Sequence, residues 1–393
     1  MALLPTTLGT RPRLAVEIRP EGVIAARSED AQAVVSAVAH GVLTDGVIVP
    51  ALKAGNVGNG PLAVAAVKKA LEAVALKERQ TTLVVPDAAV RVLLLEFDQL
   101  PAKAAEAIPV VRFRLKKLLP FDADEAAISY QVMSQTRGMV RVLAVAIPRD
   151  VLAEYEAVVR EAGFEPGAVL PSTLAACAGM VEADAATLLV NATDRSVTTA
   201  IVQGGVLLLH RTVDLQAEGL HERMMLAALA NPTVPEAVLP LVDADASAGE
   251  WARQEPVNGY GVLDDQHIAD KLAEDIQREI AEEFAAARVA DPSLELEVEL
   301  EAQKLTAVER EVTQAVSVAA AYFEDTLASV PGVVVSAGTM GADMLGKLLR
   351  EAGFGDGEIR VREMVEPAML MGGAVSARVP YGWMAGVRGA LRS

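Results

Sequence analysis

The sequence predicts an α/β protein built from two similar halves. Three observations carry that expectation. Each half opens on two apolar runs around a polar turn, Arg13–Ala26 in the first and Thr187–Val202 in the second. Strand-like runs alternate with amphipathic helical stretches through both halves. Late in the chain a strand, Gly332–Val335, enters the small-residue turn Ser336-Ala337-Gly338-Thr339-Met340-Gly341 and leads into a helix over 343–350.

In chain order, Pro20-Glu21-Gly22 breaks the first apolar stretch into a β-hairpin. The Ala/Val-rich segment Asp30–Leu43 is compatible with a helix. A strand over Gly46–Leu52, the loop Ala54–Pro61 and an amphipathic helix over Leu62–Leu76 follow. Strands are expected at Thr82–Val85, closed by Pro86-Asp87, and at Val90–Phe97. The apolar positions 111, 115, 118 and 119 share one helical face ahead of Pro120-Phe121-Asp122. Arg112, Arg114, Lys116 and Lys117 lie largely off it and read as a solvated face, with an anion site as the sharper alternative. Strands near Ile128–Met133 and Val140–Ile147 lead to a helix over Arg149–Glu161, closed by Gly163.

In the second half, Gly204-Gly205 turns the chain into a third strand, Val206–His210. Prolines at 232, 235, 240 and 256 break any regular period. An amphipathic helix is expected over Gln266–Val289. Strict alternation in Leu294–Glu301 reads as a strand, and Leu305–Leu327 as a long helix with Val308, Val312, Val316 and Phe323 inward.

Composition narrows the function classes. Of 393 residues, 52% are hydrophobic and 22% charged, which supplies a core and excludes general disorder. Aromatics are 4%, so the core is built from Ala, Val and Leu. Thirty-five cations against 53 anions give a net charge of −18, which repels a phosphate backbone. The single cysteine, Cys177, lies in an apolar helical stretch and reads as a core filler. One Cys and four His offer no zinc-ligand spacing. Met1–Pro5 has no secretory n-region, and the longest charge-free run, Thr326–Ala342, is too short and broken to span a bilayer. The expected compartment is the cytoplasm.

Two β-turn-β units followed by a late strand–glycine turn–helix resemble the arrangement of actin-like nucleotide-binding folds. The middle of the chain narrows the resemblance. Leu83–Val92, Val110–Asp122 with its Phe-Arg-Leu-Lys-Lys…Pro-Phe-Asp string, and Val142–Pro148 through Tyr155 and Ala162-Gly163-Phe164 resemble the PilM family, cytoplasmic FtsA-like proteins of type IV pilus assembly. The resemblance runs from about residue 13 to 378. It implies an actin-like (ribonuclease H-like, duplicated) two-lobed fold with an inserted small β-rich, SHS2-type subdomain. The first lobe is then 1–45 and 149–186, the insert 46–148, and the second lobe 187–215 and 326–378. A helical subdomain takes 216–325 and a C-terminal tail 379–393. It also implies docking of the short cytoplasmic tail of a PilN-like inner-membrane protein, self-association into a ring, and ATP with Mg²⁺ held between the lobes.

An actin-like phosphate site needs an aspartate for the metal and small residues that let backbone N–H groups approach phosphate. The positions matching the first turn are Glu17, Arg19, Glu21 and Gly22, where the family reads Asp, Gly, Ser and Ser in Asp-Ile-Gly-Ser-Ser-Ser. Those matching the second are Asn191, Thr193 and Asp194, with an amide in place of the carboxylate. Ser336, Gly338 and Gly341 match the adenosine turn. Arg19 either binds a phosphate itself or pairs with Glu17 or Glu21 in a cleft that has become a structural junction. ATP, if held, is expected to bind weakly and without turnover.

The leading function is therefore a cytoplasmic scaffold that binds a peptide. An actin-fold small-molecule kinase needs a carboxylate base and intact phosphate turns, which Glu17 and Asn191 argue against. An FtsA-like membrane tether is the third reading, since Trp383, Met384, Val387 and Leu391 share one helical face; Gly382, Gly386 and Gly389 weaken that helix. Phe121, in the turn Pro120-Phe121, is the aromatic expected to contact the partner tail; it is equally a turn residue that packs internally.

Overall fold

A computed structural model describes residues 12–29, 34–180, 185–193, 195–214, 292–327, 331–351, 359–366, 369–370 and 379–392. They fall in one compact unit, apart from 292–306, which belong to a second unit, Ala237–Thr306. The helix expected over Gln266–Val289, most of the helical subdomain and Asp194 lie outside the described residues.

Two five-stranded sheets share one topology. The first has β1 (Leu14–Ile18), β2 (Gly22–Ser28), β3 (Val35–Val42), β4 (Gln80–Val85) and β8 (Glu165–Pro171), in the order β3-β2-β1-β4-β8. The second has β9 (Thr187–Ala192), β10 (Ser196–Gln203), β11 (Val206–Asp214), β12 (Val333–Gly338) and β13 (Arg360–Glu363), in the order β11-β10-β9-β12-β13. In each, an antiparallel meander joins two parallel strands on its first strand. Between them in sequence lies a three-stranded sheet, β5 (Arg91–Phe97), β7 (Met139–Pro148) and β6 (Ala126–Thr136), in the order β5-β7-β6.

Helices cover these sheets where their apolar stripes dictate. α1 (Gly60–Val74) starts at Asn59, whose side chain accepts from the Leu62 N–H, with Pro61 in the first turn. It buries Ala63, Val67, Ala70, Leu71 and Val74 in the first-lobe core beside Tyr155 and Val159 of α3 (Arg149–Glu161). α2 (Ala104–Leu115) packs Ala107, Val111 and Leu115 into the core of the insert. α4 (Ser172–Ala178) follows β8 directly. α5 (Pro292–Leu327) buries Val312, Ala315, Val316, Ala319 and Phe323 at helical spacing, and α6 (Ala342–Glu351) leaves the Gly338 turn. A short 3₁₀ turn, Tyr381–Met384, runs into α7 (Ala385–Leu391).

Five expectations are corrected. Asp30–Leu43 holds no described helix. Val35–Val42 is strand β3, because pairing with β2 along seven residue positions outweighs the local Ala content. Leu294–Glu301 is helical, the start of α5, where alternation was read as a strand. The insert begins at β5 rather than at residue 46: β4 pairs in parallel with β1, and α1 packs on the first-lobe core, so 46–90 belong to that lobe. Gly46–Leu52 contributes only a bridge, Ile48 to Val57, rather than a strand. Finally, 379–392 is no loose tail. Trp383, Met384, Val387 and Leu391 are all buried in the core shared with Leu174, Ala175 and Ala337. The apolar face read from the sequence is real, and the protein interior covers it, which removes the membrane-tether reading of this segment.

Candidate functional site

The first strand of each sheet ends at the junction between the lobes, and the turns that follow bring the sequence-selected residues together. Glu17 lies on β1, which is buried along its whole length. Glu17 Oε1 accepts from Arg19 Nε at 2.7 Å and from Ser172 Oγ at 2.6 Å. Asn191, at the end of β9, donates through Nδ2 to Ser172 Oγ (3.1 Å), Thr173 Oγ1 (2.9 Å) and Asp87 Oδ2 (3.3 Å). Asp87 in turn accepts from the Thr173 N–H at 3.1 Å and the Thr173 hydroxyl at 2.5 Å. A continuous polar chain, Arg19–Glu17–Ser172–Asn191–Thr173–Asp87, thus crosses from one lobe to the other. Every member is buried.

Electrostatics follow from that burial. Burial works against the Arg19 charge, but Glu17, then Glu21 and Asp87, outweigh it and raise the guanidinium above its ordinary value. Burial pushes the Asp87 carboxyl up, opposed by its bonds from Thr173 and Thr198 and by Arg19. A buried ion pair of this kind is costly to break from one side, because the surviving charge is left in a low dielectric.

The turns are closed on themselves. In the first, the Arg19 N–H donates to Gly22 O at 2.9 Å, the Gly22 N–H returns to Arg19 O at 3.3 Å, and Pro20 has no N–H. In the second, Thr193 Oγ1 accepts from the N–H groups of Arg195 (3.3 Å) and Ser196 (3.0 Å). The third is close to the expected pattern. Gly338 has φ +85°, and a β-carbon there would lie 2.1 Å from Ala192 O, so only glycine fits. Ser336 Oγ donates to Met340 O, and Gly341 lies beside Glu363, whose Oε1 accepts from the Ala342 N–H at 2.7 Å.

These residues do not fit a nucleoside triphosphate. The cavity bounded by Arg19, Pro20, Asp87, Ser172, Asn191 and Thr193 measures about 10 Å³, the room of a single water, and ligand pockets run to several hundred. The Arg19, Gly22, Thr193, Arg195 and Ser196 amides, which sit where phosphate would be cradled, are spent within the turns. Among the described residues, no cluster of three or more His, Cys, Asp or Glu side chains is placed to hold a metal ion.

Half of the polar chain is not marked by any motif in the sequence. Asp87 was read only as a strand stop, and Ser172 and Thr173 were not singled out. The available signal was positional: each follows the C-terminal end of a parallel strand, β4 or β8, where such sheets gather their polar groups.

A larger groove adjoins the junction, sharing Pro50 and Arg195 with its small cavity. It measures about 580 Å³ and lies between the loop Val49–Lys53 of the first lobe, Arg91 and Pro120 of the insert, and Arg195 and Asp214 of the second sheet. Glu154 on α3 fixes the adjoining loop. Its Oε1 accepts from the Gly55 N–H at 2.7 Å, and its Oε2 from the N–H groups of Asn56 (2.7 Å) and Val57 (3.2 Å). The Asn56 side chain accepts from the Ala51 N–H at 2.8 Å and from the Tyr155 hydroxyl at 3.2 Å. Phe121 is not on the groove wall. It leans on the insert core that holds Val111 and Leu115.

The duplicated sheets, the β-rich insert and turns meeting between two lobes define an actin-like α/β protein. Among solved structures the chain is similar to a PilM–PilN type IV pilus biogenesis complex, at 15% identity over 97% of this chain and 98% of that chain, with a TM-score of 0.63. It also matches the ethanolamine utilization protein EutJ from Carboxydothermus hydrogenoformans, at 10% identity over 99% of this chain and 91% of that one, TM-score 0.43. A third match is the cytoplasmic domain of EpsL, an inner-membrane component of the Vibrio cholerae type II secretion system, at 16% identity over 62% and 89%, TM-score 0.34. No protein-family model and no curated protein matches the chain. The fold that the PilM-like motifs implied is therefore the fold observed.

Proposed function

We propose that this protein is a cytoplasmic scaffold of a type IV pilus inner-membrane platform, which binds the short cytoplasmic tail of a PilN-like membrane protein. The observation that carries the reading is the groove between Val49–Lys53 and the insert residues Arg91 and Pro120, of a volume that suits a short peptide. The fold it shares with the PilM–PilN complex along nearly the whole chain supports the same reading. Val49, Pro50, Leu52 and Pro120 offer the apolar wall that an extended tail needs, and Lys53 and Arg91 flank it with charge. The protein works by binding and not by turnover: the phosphate turns are closed, and the junction between them is full. It reaches the membrane through its partner, since no helix among the described residues is long and apolar enough to cross one.

Titration calorimetry with a synthetic tail of the PilN-like partner tests this. Binding in the micromolar range, weakened at least tenfold by Leu52→Asp with the fold retained, is expected. Equal affinity in the wild type and a folded Leu52→Asp variant removes the groove from the account.

A further inference from the structure

We propose that the segment 380–392 is a built-in clamp that holds the two lobes together from within the chain, making closure independent of nucleotide. This goes beyond the partner reading above and does not depend on it.

The segment touches both lobes at the turns that the sequence assigned to phosphate and adenosine. On the first lobe, Arg19 Nη2 donates to Trp383 O at 3.4 Å, and the guanidinium lies 6.0 Å from the centre of the Trp383 ring. A β-carbon on Gly22 would come within 3.2 Å of that ring. On the second lobe, Gly382 lies against Gly338: a β-carbon on Gly382 would stand 2.5 Å from Gly338 O. One residue thus abuts the second-lobe turn while its neighbour covers the first-lobe hairpin.

The rest of the segment anchors it. Gly386 passes beneath Glu17, where a β-carbon would meet Oε2 at 2.2 Å, and Gly389 passes Ala175, where it would meet the carbonyl oxygen at 1.7 Å. Arg388 Nη1 donates to Gly179 O at 2.8 Å. Three glycines in eight residues weaken an isolated helix, yet each is required here by a backbone or carboxylate at contact distance. Glycines placed this way belong to a segment that must seat deeply. Trp383, at 2% exposure, is the largest fully buried side chain among the described residues.

A clamp in the chain already holds the lobes at the closed side of their equilibrium, so nucleotide has no open population left to shift. Spin labels on cysteines placed at the exposed Lys69 of α1 and Lys347 of α6 report the interlobe distance. The native Cys177 is buried and does not compete for label. The wild-type distance is expected to be narrow and unchanged by saturating Mg·ATP, with no shift in melting temperature. Trp383→Ala is expected to lengthen and broaden it. If Trp383→Ala does not fold, Gly382→Ala, which acts on the second-lobe contact alone, is expected to do the same. A distance or melting temperature that responds to Mg·ATP in the wild type overturns the proposal, as does an unchanged distance in the folded variants.

Discussion

Gly386 and Glu17 stand so close that the absence of a side chain at one is what allows the carboxylate of the other to stay buried: a β-carbon on Gly386 would lie 2.2 Å from Glu17 Oε2. Glu17 is at 0% exposure and is bound to Arg19, so it cannot retreat without stranding a buried guanidinium. Helix α7 is therefore locked to the carboxylate of β1.

From that contact, Gly386→Ala is expected to lower unfolding stability by about 1–3 kcal/mol, as overpacking does. Glu17→Ala, which leaves Arg19 without its nearest partner, is expected to cost about 3–5 kcal/mol. Urea denaturation of the two single variants and the double variant should give a non-additive cycle, the double being less destabilised than the sum. Simple additivity would mean that the two residues do not meet.

Glu154→Ala is expected to loosen the loop that walls the groove. Three backbone N–H groups lose a charged acceptor, at a cost of at least about 1.5 kcal/mol. Amide hydrogen exchange at 55–57 should accelerate before exchange in β1 or β9 does. Tail affinity should fall with it, because Ala51 is tied to the same loop through Asn56.

Phe121→Ala separates two roles. Its ring packs against the insert core, so the expected outcome is a lower melting temperature of the insert with tail affinity unchanged. Loss of affinity at unchanged stability would return Phe121 to the binding surface.

His210 sets an acid limit. The residue is half-buried, but its Nε2 is enclosed and has no hydrogen-bond partner, and burial lowers its pKa from 6.5 to about 4. The folded state binds the proton less readily than the unfolded chain does. The contribution of His210 is therefore whole above about pH 6.5 and lost as pH falls towards 4. His210→Phe should be less acid-sensitive than wild type across that window in denaturant titrations, with the two converging in slope above it.

How far the sequence revealed this structure depended on whether the deciding force was local. Arg149–Glu161 was legible to the residue because its period, its proline before and its Gly163 after all agree, the glycine at φ +88°. The Gly204-Gly205 turn was legible for the same reason, both residues having positive φ. Val35–Val42 was not, since its partner strand, not its composition, makes it β. The face of Trp383, Met384, Val387 and Leu391 was read correctly, but what covers it lies some 200 residues away in α4, out of reach of any window. In the candidate site, Glu17, Arg19 and Asn191 were found by position in a motif. Asp87, Ser172 and Thr173 were missed because only the parallel sheet brings three separate strand ends to one point.

The account rests on a partner tail seated in the groove, and hydrogen exchange of the full chain with and without that tail tests it most directly. Protection concentrated at 49–57 and around Arg91, Pro120 and Arg195, with the turns at 19–22 and 336–341 unaffected, is the predicted result. Protection at the turns 19–22 and 336–341 with none at 49–57 would contradict it.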